Sequence, residues 1–124
     1  MRPGPAAAPT TAALAALEVR AGAAKLAPDS IVAALAALPG WSVDDGRLRK
    51  AYRFPDWRAT MAFVNAVAAM ADRVDHHPEL GVAWGRCTVA WRTHDAAGIT
   101  QNDLACAART DALARPGGAA EGTA

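Results

Sequence analysis

The chain's three histidines all fall between positions 76 and 94, in Asp75-His76-His77-Pro78-Glu79 and Thr93-His94-Asp95. Histidine is the one side chain whose unperturbed pKa, about 6.5, lets it both give and take a proton near neutral pH. Carboxylates flank the cluster at Asp72, Asp75, Glu79, Asp95 and Asp103. Imidazoles gathered at one cleft, with acids behind them to fix tautomers, suit proton transfer to and from a small polar substrate.

Three other readings compete for these residues. Three histidines and a carboxylate could bind zinc. An adjacent His-His pair is a poor chelate beside helical HxxxH spacing, however, and no metal is expected. A His pair can also cap a helix C-terminus and gain from its dipole, and the residues alone leave that reading open. Nucleophilic chemistry has less support. Cys87 falls in a strand, and Ser30 and Ser42 lie in cap and strand positions rather than in an elbow motif.

Composition narrows the classes further. A chain of 124 residues is expected to form one domain. Net charge is +1, and there is no basic stripe, so nucleic acid is not an expected partner. The most apolar run, 59–71, is shorter than the roughly 20 residues a membrane span needs. No signal peptide is expected either, which points to the cytoplasm. Cys87 and Cys106 have no CxxC partner and read as two ordinary thiols.

The elements that must position the histidines follow in order. Residues 1–26 are rich in Ala, Pro, Gly and Thr, and read as an extension with little order, outside the site. Pro28-Asp29-Ser30 starts a helix, with Asp29 or Ser30 as its cap; Ile31, Leu35 and Leu38 share one face, and Pro39-Gly40 stops it. Trp41 to Val43 and Arg47 to Phe54 read as strands around an Asp44-Asp45-Gly46 hairpin turn. Leu48, Lys50, Tyr52 and Phe54 take one face of the second strand; Arg47, Arg49 and Arg53 take the other, as a solvated face or an anion site. Pro55-Asp56 opens a long helix whose stripe is Trp57, Met61, Val64, Val67 or Ala68, and Ala71, widened by Phe63 and Met70. It ends near Arg73-Val74, because the chain must extend before Pro78. Glu79 to Trp84 and Cys87 to Thr93 read as two more strands around Gly85-Arg86. Thr100 to Asp103 has the form of a capping box before a last helix, which buries Leu104, Ala108 and Leu113. The expected fold is α+β, a two-layer sandwich of a four-stranded antiparallel sheet with three helices packed on one face. The domain spans residues 27–115, and 116–124 form a flexible tail.

The run Asp75-His76-His77-Pro78-Glu79, then Trp84, Thr93-His94-Asp95, Gly98-Ile99-Thr100 and Asp103, resembles the signature of the pterin-4a-carbinolamine dehydratases. Leu38-Pro39-Gly40-Trp41, Leu48-Arg49-Lys50, Phe54 and the stretch 63–71 resemble the same family, so the likeness covers about 26–114. It implies the fold read above and a homodimer or homotetramer. It also implies dehydration of 4a-hydroxytetrahydropterin to quinonoid dihydropterin, with no metal and no organic cofactor. Carried over by position, His76 and His94 are the general acid/base pair. His77 orients the pterin and is also a candidate for proton transfer. Asp103 orients an imidazole, while its capping-box role is an equally good structural account, and the two are compatible. Asp72 and Asp75 support the imidazoles or touch the pterin, Pro78 shapes the chain beside the pair, and Trp84 packs behind the site. Leu80 departs from the family, many of whose members carry an aromatic there. The alternative is a non-catalytic binding or assembly-factor protein on the same fold. Such readings usually accompany an eroded histidine set, whereas all three are present here.

Overall fold

The computed structural model describes residues 9–114. Four antiparallel strands form one sheet in the order β1-β2-β4-β3: β1 Ser42–Asp44, β2 Arg47–Arg53, β3 Glu79–Ala83 and β4 Arg86–Trp91. Asp45 and Gly46 join β1 to β2 at φ 51° and 72°, the left-handed pair that a two-residue hairpin turn requires. β1 starts one residue later than expected. Trp41 stays outside the ladder, buried, with its indole N–H donating 3.1 Å to Asp111.

Helix α3, Trp57–Val74, and helix α4, Gln101–Leu113, pack against the sheet. Period-two alternation sends Leu48, Lys50 and Tyr52 of β2 and Cys87, Val89 and Trp91 of β4 to the helix side, all buried. The buried stripe of α3 is Thr60, Phe63, Val67, Met70 and Ala71, rotated from the expected one. Trp57, expected in the core, sits at the first helical position and is half exposed. The Thr60 hydroxyl instead accepts the Gly85 N–H at 3.1 Å, pinning the β3–β4 turn to the helix start. Helix α2, Pro28–Leu35, has no side-chain cap. Ala27 takes the cap position, and Pro28, whose fixed φ suits a first turn, replaces the expected Asp29 or Ser30 cap.

The expectation of little order across residues 1–26 is corrected for residues 9–26. Helix α1, Thr11–Ala15, packs on α4 and buries Leu14. The α4 side that faces away from the sheet is therefore covered too, and residues 102–108 are all buried. The chain then runs from α1 along α4 as a strap tied by side chains of the helix. Arg109 donates to the Ala15 and Leu17 carbonyls at 2.9 Å each, and Gln101 donates to the Glu18 carbonyl at 2.6 Å. The expected tail, 116–124, lies outside the described residues.

The open sheet face carries ion pairs rather than an anion site at Arg47 and Arg49. Arg47 bonds Glu79 at 2.8 Å and Asp45 at 3.1 Å, and Arg49 bonds Asp44 at 2.9 Å. On the covered side, Asp111 of α4 gathers three donors of the sheet layer: Lys50 at 3.0 Å, Trp41 at 3.1 Å, and the Tyr52 hydroxyl. A buried charge needs such pairing, and this cluster locks α4 to β2. Among the described residues no helix is long and apolar enough to cross a membrane.

Candidate active site

The exit of α3 sorts the two adjacent histidines. Asp75 caps the helix in the left-handed region, at φ 51° and ψ 46°, and the His76 N–H returns to the Ala71 carbonyl at 3.2 Å. This turn, ahead of Pro78, sends the neighbours to different places. The His76 side chain is 12% exposed, while that of His77 is 58% exposed.

His76 Nε2 lies 2.7 Å from Asp103 Oδ1. Its ring stacks on buried Trp91, with centroids 5.6 Å apart and planes 17° from parallel. Asp103 has no exposed side-chain surface. Its other oxygen accepts the Thr93 hydroxyl at 2.8 Å and the Thr100 N–H at 2.9 Å. The Thr100 hydroxyl bonds Thr93 at 2.8 Å and accepts the Asn102 N–H at 3.1 Å. The expected capping box is therefore present, and the same carboxylate that closes it also holds the imidazole. With Nε2–H given to the carboxylate, Nδ1 keeps the lone pair, and the ring is fixed in plane by Trp91. This arrangement can accept a proton at one defined nitrogen and return it.

The other expected residues stand apart to different degrees. His77 Nε2 lies 3.1 Å from Asp72 Oδ1 at the surface. His94 is exposed and begins a short 3₁₀ turn, His94–Ala96, directly after Thr93; among the described residues its ring has no hydrogen-bond partner. Pro78 is partly buried and leads into β3. Leu80 pairs with Val89 in the sheet and packs against the core. Trp84 does not pack behind the site. It lies at the β3–β4 turn, 69% exposed, and Trp91 occupies the role expected of it. The signal for Trp91 was available, since alternation from Cys87 and Val89 points it inward. Among the described residues no three His, Cys, Asp or Glu side chains converge to hold a metal ion.

A cleft of about 410 Å³ opens at His76, within the range of small-molecule sites. Asp75 and His76 from the α3 exit, with Thr93 and Asp95 from the turn after β4, line one part of it. Residues 19–23 line the rest, so the extension, read from sequence as outside the site, borders it. The Asn102 side chain holds this segment by both backbone groups of Arg20, accepting its N–H at 3.0 Å and donating to its carbonyl at 2.7 Å. Farther along, the Leu26 N–H donates to the Ile99 carbonyl at 2.8 Å. The Lys25 stem lies over Gly98, where a Cβ would come within 2.8 Å of it.

Comparison with known proteins places this geometry. The family described as pterin 4 alpha carbinolamine dehydratase matches residues 24–113. A protein of Chromobacterium violaceum, provisionally named a pterin-4-alpha-carbinolamine dehydratase, is 47% identical over 94 residues, covering 76% of this chain and 87% of its own. A protein of Paracidovorax citrulli with the same provisional name is 50% identical over 92 residues, covering 71% of this chain and 79% of its own. A crystal structure of a transcriptional coactivator/pterin dehydratase from Brucella melitensis superposes with a TM-score of 0.71 at 31% identity, over 73% of this chain and 99% of that one. A pterin dehydratase-like protein identified as a RuBisCO assembly factor in the alpha-carboxysome gives 0.51 at 25% identity, over 60% and 86%. The match spans every strand, α2, α3, α4 and the whole histidine–aspartate constellation, and stops short of the strap: the chain belongs to the pterin 4 alpha carbinolamine dehydratase family.

Proposed function

We propose that the chain dehydrates a 4a-hydroxytetrahydropterin to the quinonoid dihydropterin, recycling the cofactor of aromatic amino acid hydroxylases. The observation that carries this reading is His76, held by Asp103 and Trp91 at the mouth of a cleft of substrate size. The reaction removes a hydroxyl from C4a and a proton from N5. An imidazolium protonates the hydroxyl, the C4a–O bond breaks with release of water, and the N5 lone pair forms the C4a=N5 bond. A neutral base then takes the N5 proton. His76 and His94 fill these two roles, and each positioned proton-transfer group is worth roughly a hundred- to ten-thousand-fold. His77, partnered by Asp72, orients the pterin from the rim. No cofactor is needed, since the steps are proton transfers and one heterolysis. A homodimer or homotetramer in the cytoplasm completes the reading.

A phenylalanine hydroxylase can generate the 4a-hydroxypterin in place while dehydration is followed by absorbance. A rate well above the spontaneous one supports the reading, and a rate equal to background from folded protein rejects it. A second reading, a client-binding protein on the same fold, draws support from the likeness to the assembly factor. It requires tight co-elution with a protein client and no dehydratase rate.

A further inference from the structure

The strap precedes the residues that the family match covers. Residues 19–23 precede the family match, which begins at residue 24, yet they line the cleft that contains His76. Their placement is not incidental packing. Asn102, 4% exposed, engages both the N–H and the carbonyl of Arg20, which fixes that backbone as a strand partner would. Gln101 and Arg109 hold the preceding turns of chain by three carbonyls. Three α4 side chains thus hold five backbone groups of one segment. Arg20 itself is among the residues that line the cleft; it is exposed, and among the described residues its guanidinium makes no hydrogen bond or ion pair.

We propose that residues 19–23 are a substrate-contacting wall of the cleft, with Arg20 as its polar contact to the substituent that the pterin ring carries. This rests on the dehydratase reading. A substrate whose reacting atoms sit at His76 meets the strap with the rest of its body, because the strap and the His76 side enclose one cleft. Guanidinium offers five N–H donors in a planar fork and no acceptor. It therefore favours a substituent bearing hydroxyls over a purely aliphatic one. Arg20 acts on affinity and substrate choice and takes no part in proton transfer.

The test compares 4a-hydroxypterins carrying a 6-dihydroxypropyl or a 6-methyl substituent, in wild type, Arg20→Ala and Asn102→Ala, with folding checked by circular dichroism. Loss of one such hydrogen bond is worth about tenfold. Arg20→Ala is expected to raise KM for the dihydroxypropyl substrate by about that factor, with kcat little changed and KM for the methyl substrate unaffected. Asn102→Ala, which frees the strap, is expected to raise KM for both. Unchanged KM for both substrates in both folded variants would overturn the wall while leaving the dehydratase standing. A wild type without a rate on either pterin would overturn both.

Discussion

His76 Nε2 and Asp103 Oδ1 lie 2.7 Å apart and join the exit of α3 to the entrance of α4. One carboxylate thus serves the site and the helix cap together. Replacing it by an amide separates the two duties. In Asp103→Asn the remaining oxygen can still take the Thr100 N–H, while the NH₂ cannot accept Nε2–H. We expect kcat to fall about 100-fold and stability to fall by at most about 1 kcal/mol. Turnover and a urea titration on the same sample check both.

The three histidines are not equivalent in this structure, and alanine scanning should show it. His76→Ala and His94→Ala are each expected to lose a hundred- to ten-thousand-fold in rate, the range for a positioned proton-transfer group. His77→Ala should cost much less than either, because the proposed mechanism gives His77 an orienting role at the rim and no proton transfer, with only the exposed Asp72 as its partner. Equal losses at all three would contradict the assignment.

The two tryptophans in or beside the second hairpin should separate sharply. Trp84→Ala should change stability by no more than about 0.5 kcal/mol and leave the rate intact, as for an ordinary surface position. Trp91→Ala removes a fully buried ring and the stacking partner of His76, at a cost of about 3–5 kcal/mol. Denaturation midpoints of the two variants decide the matter.

Asp111→Ala removes the buried carboxylate that Lys50, Trp41 and Tyr52 share. The expected loss is about 3–5 kcal/mol, that of breaking a buried pair from one side. Asp111 is outside the His76 cleft, so the fraction that remains folded should keep its kcat.

Burial pushes the Cys87 thiol up to about 11 and that of Cys106 to about 12. The folded state therefore holds these protons more tightly than the unfolded chain does. Their contribution to stability is complete below the ordinary thiol value of 9.0 and is lost as pH rises through 11 to 12. Urea midpoints should drop across that window, less so in Cys106→Ala. At pH 8 a thiol reagent should find neither cysteine until the protein is unfolded.

Much of this fold was legible because its elements announce themselves locally. Asp45-Gly46 specifies a hairpin, Thr100 to Asp103 specifies a helix start, and the spacing from Phe63 to Met70 specifies a buried face. The site was legible in its residue types and partly in its pairing, since Asp103 was expected to orient an imidazole. The strap was not legible. Its segment has few large side chains, and what holds it is Asn102, Gln101 and Arg109 bonding to backbone carbonyls far along the chain. Such bonds leave no mark on the segment they hold, because any residue supplies a carbonyl. Trp84 differs from its expected place for another reason: the likeness to a family suggests that place, whereas strand alternation sends Trp91 to the buried face.

The bonds from Asn102 and Arg109 to the strap join residues 82 to 94 positions apart. Closing a loop of two thirds to three quarters of the chain is an entropic cost that must be met before the contact contributes. On a ribosome the strap emerges before α4, yet it has no surface to dock on until α4 has been made. The His76–Asp103 pair and the sheet contain no residue of the strap. Loop closure therefore places the cleft wall late in folding, after α4.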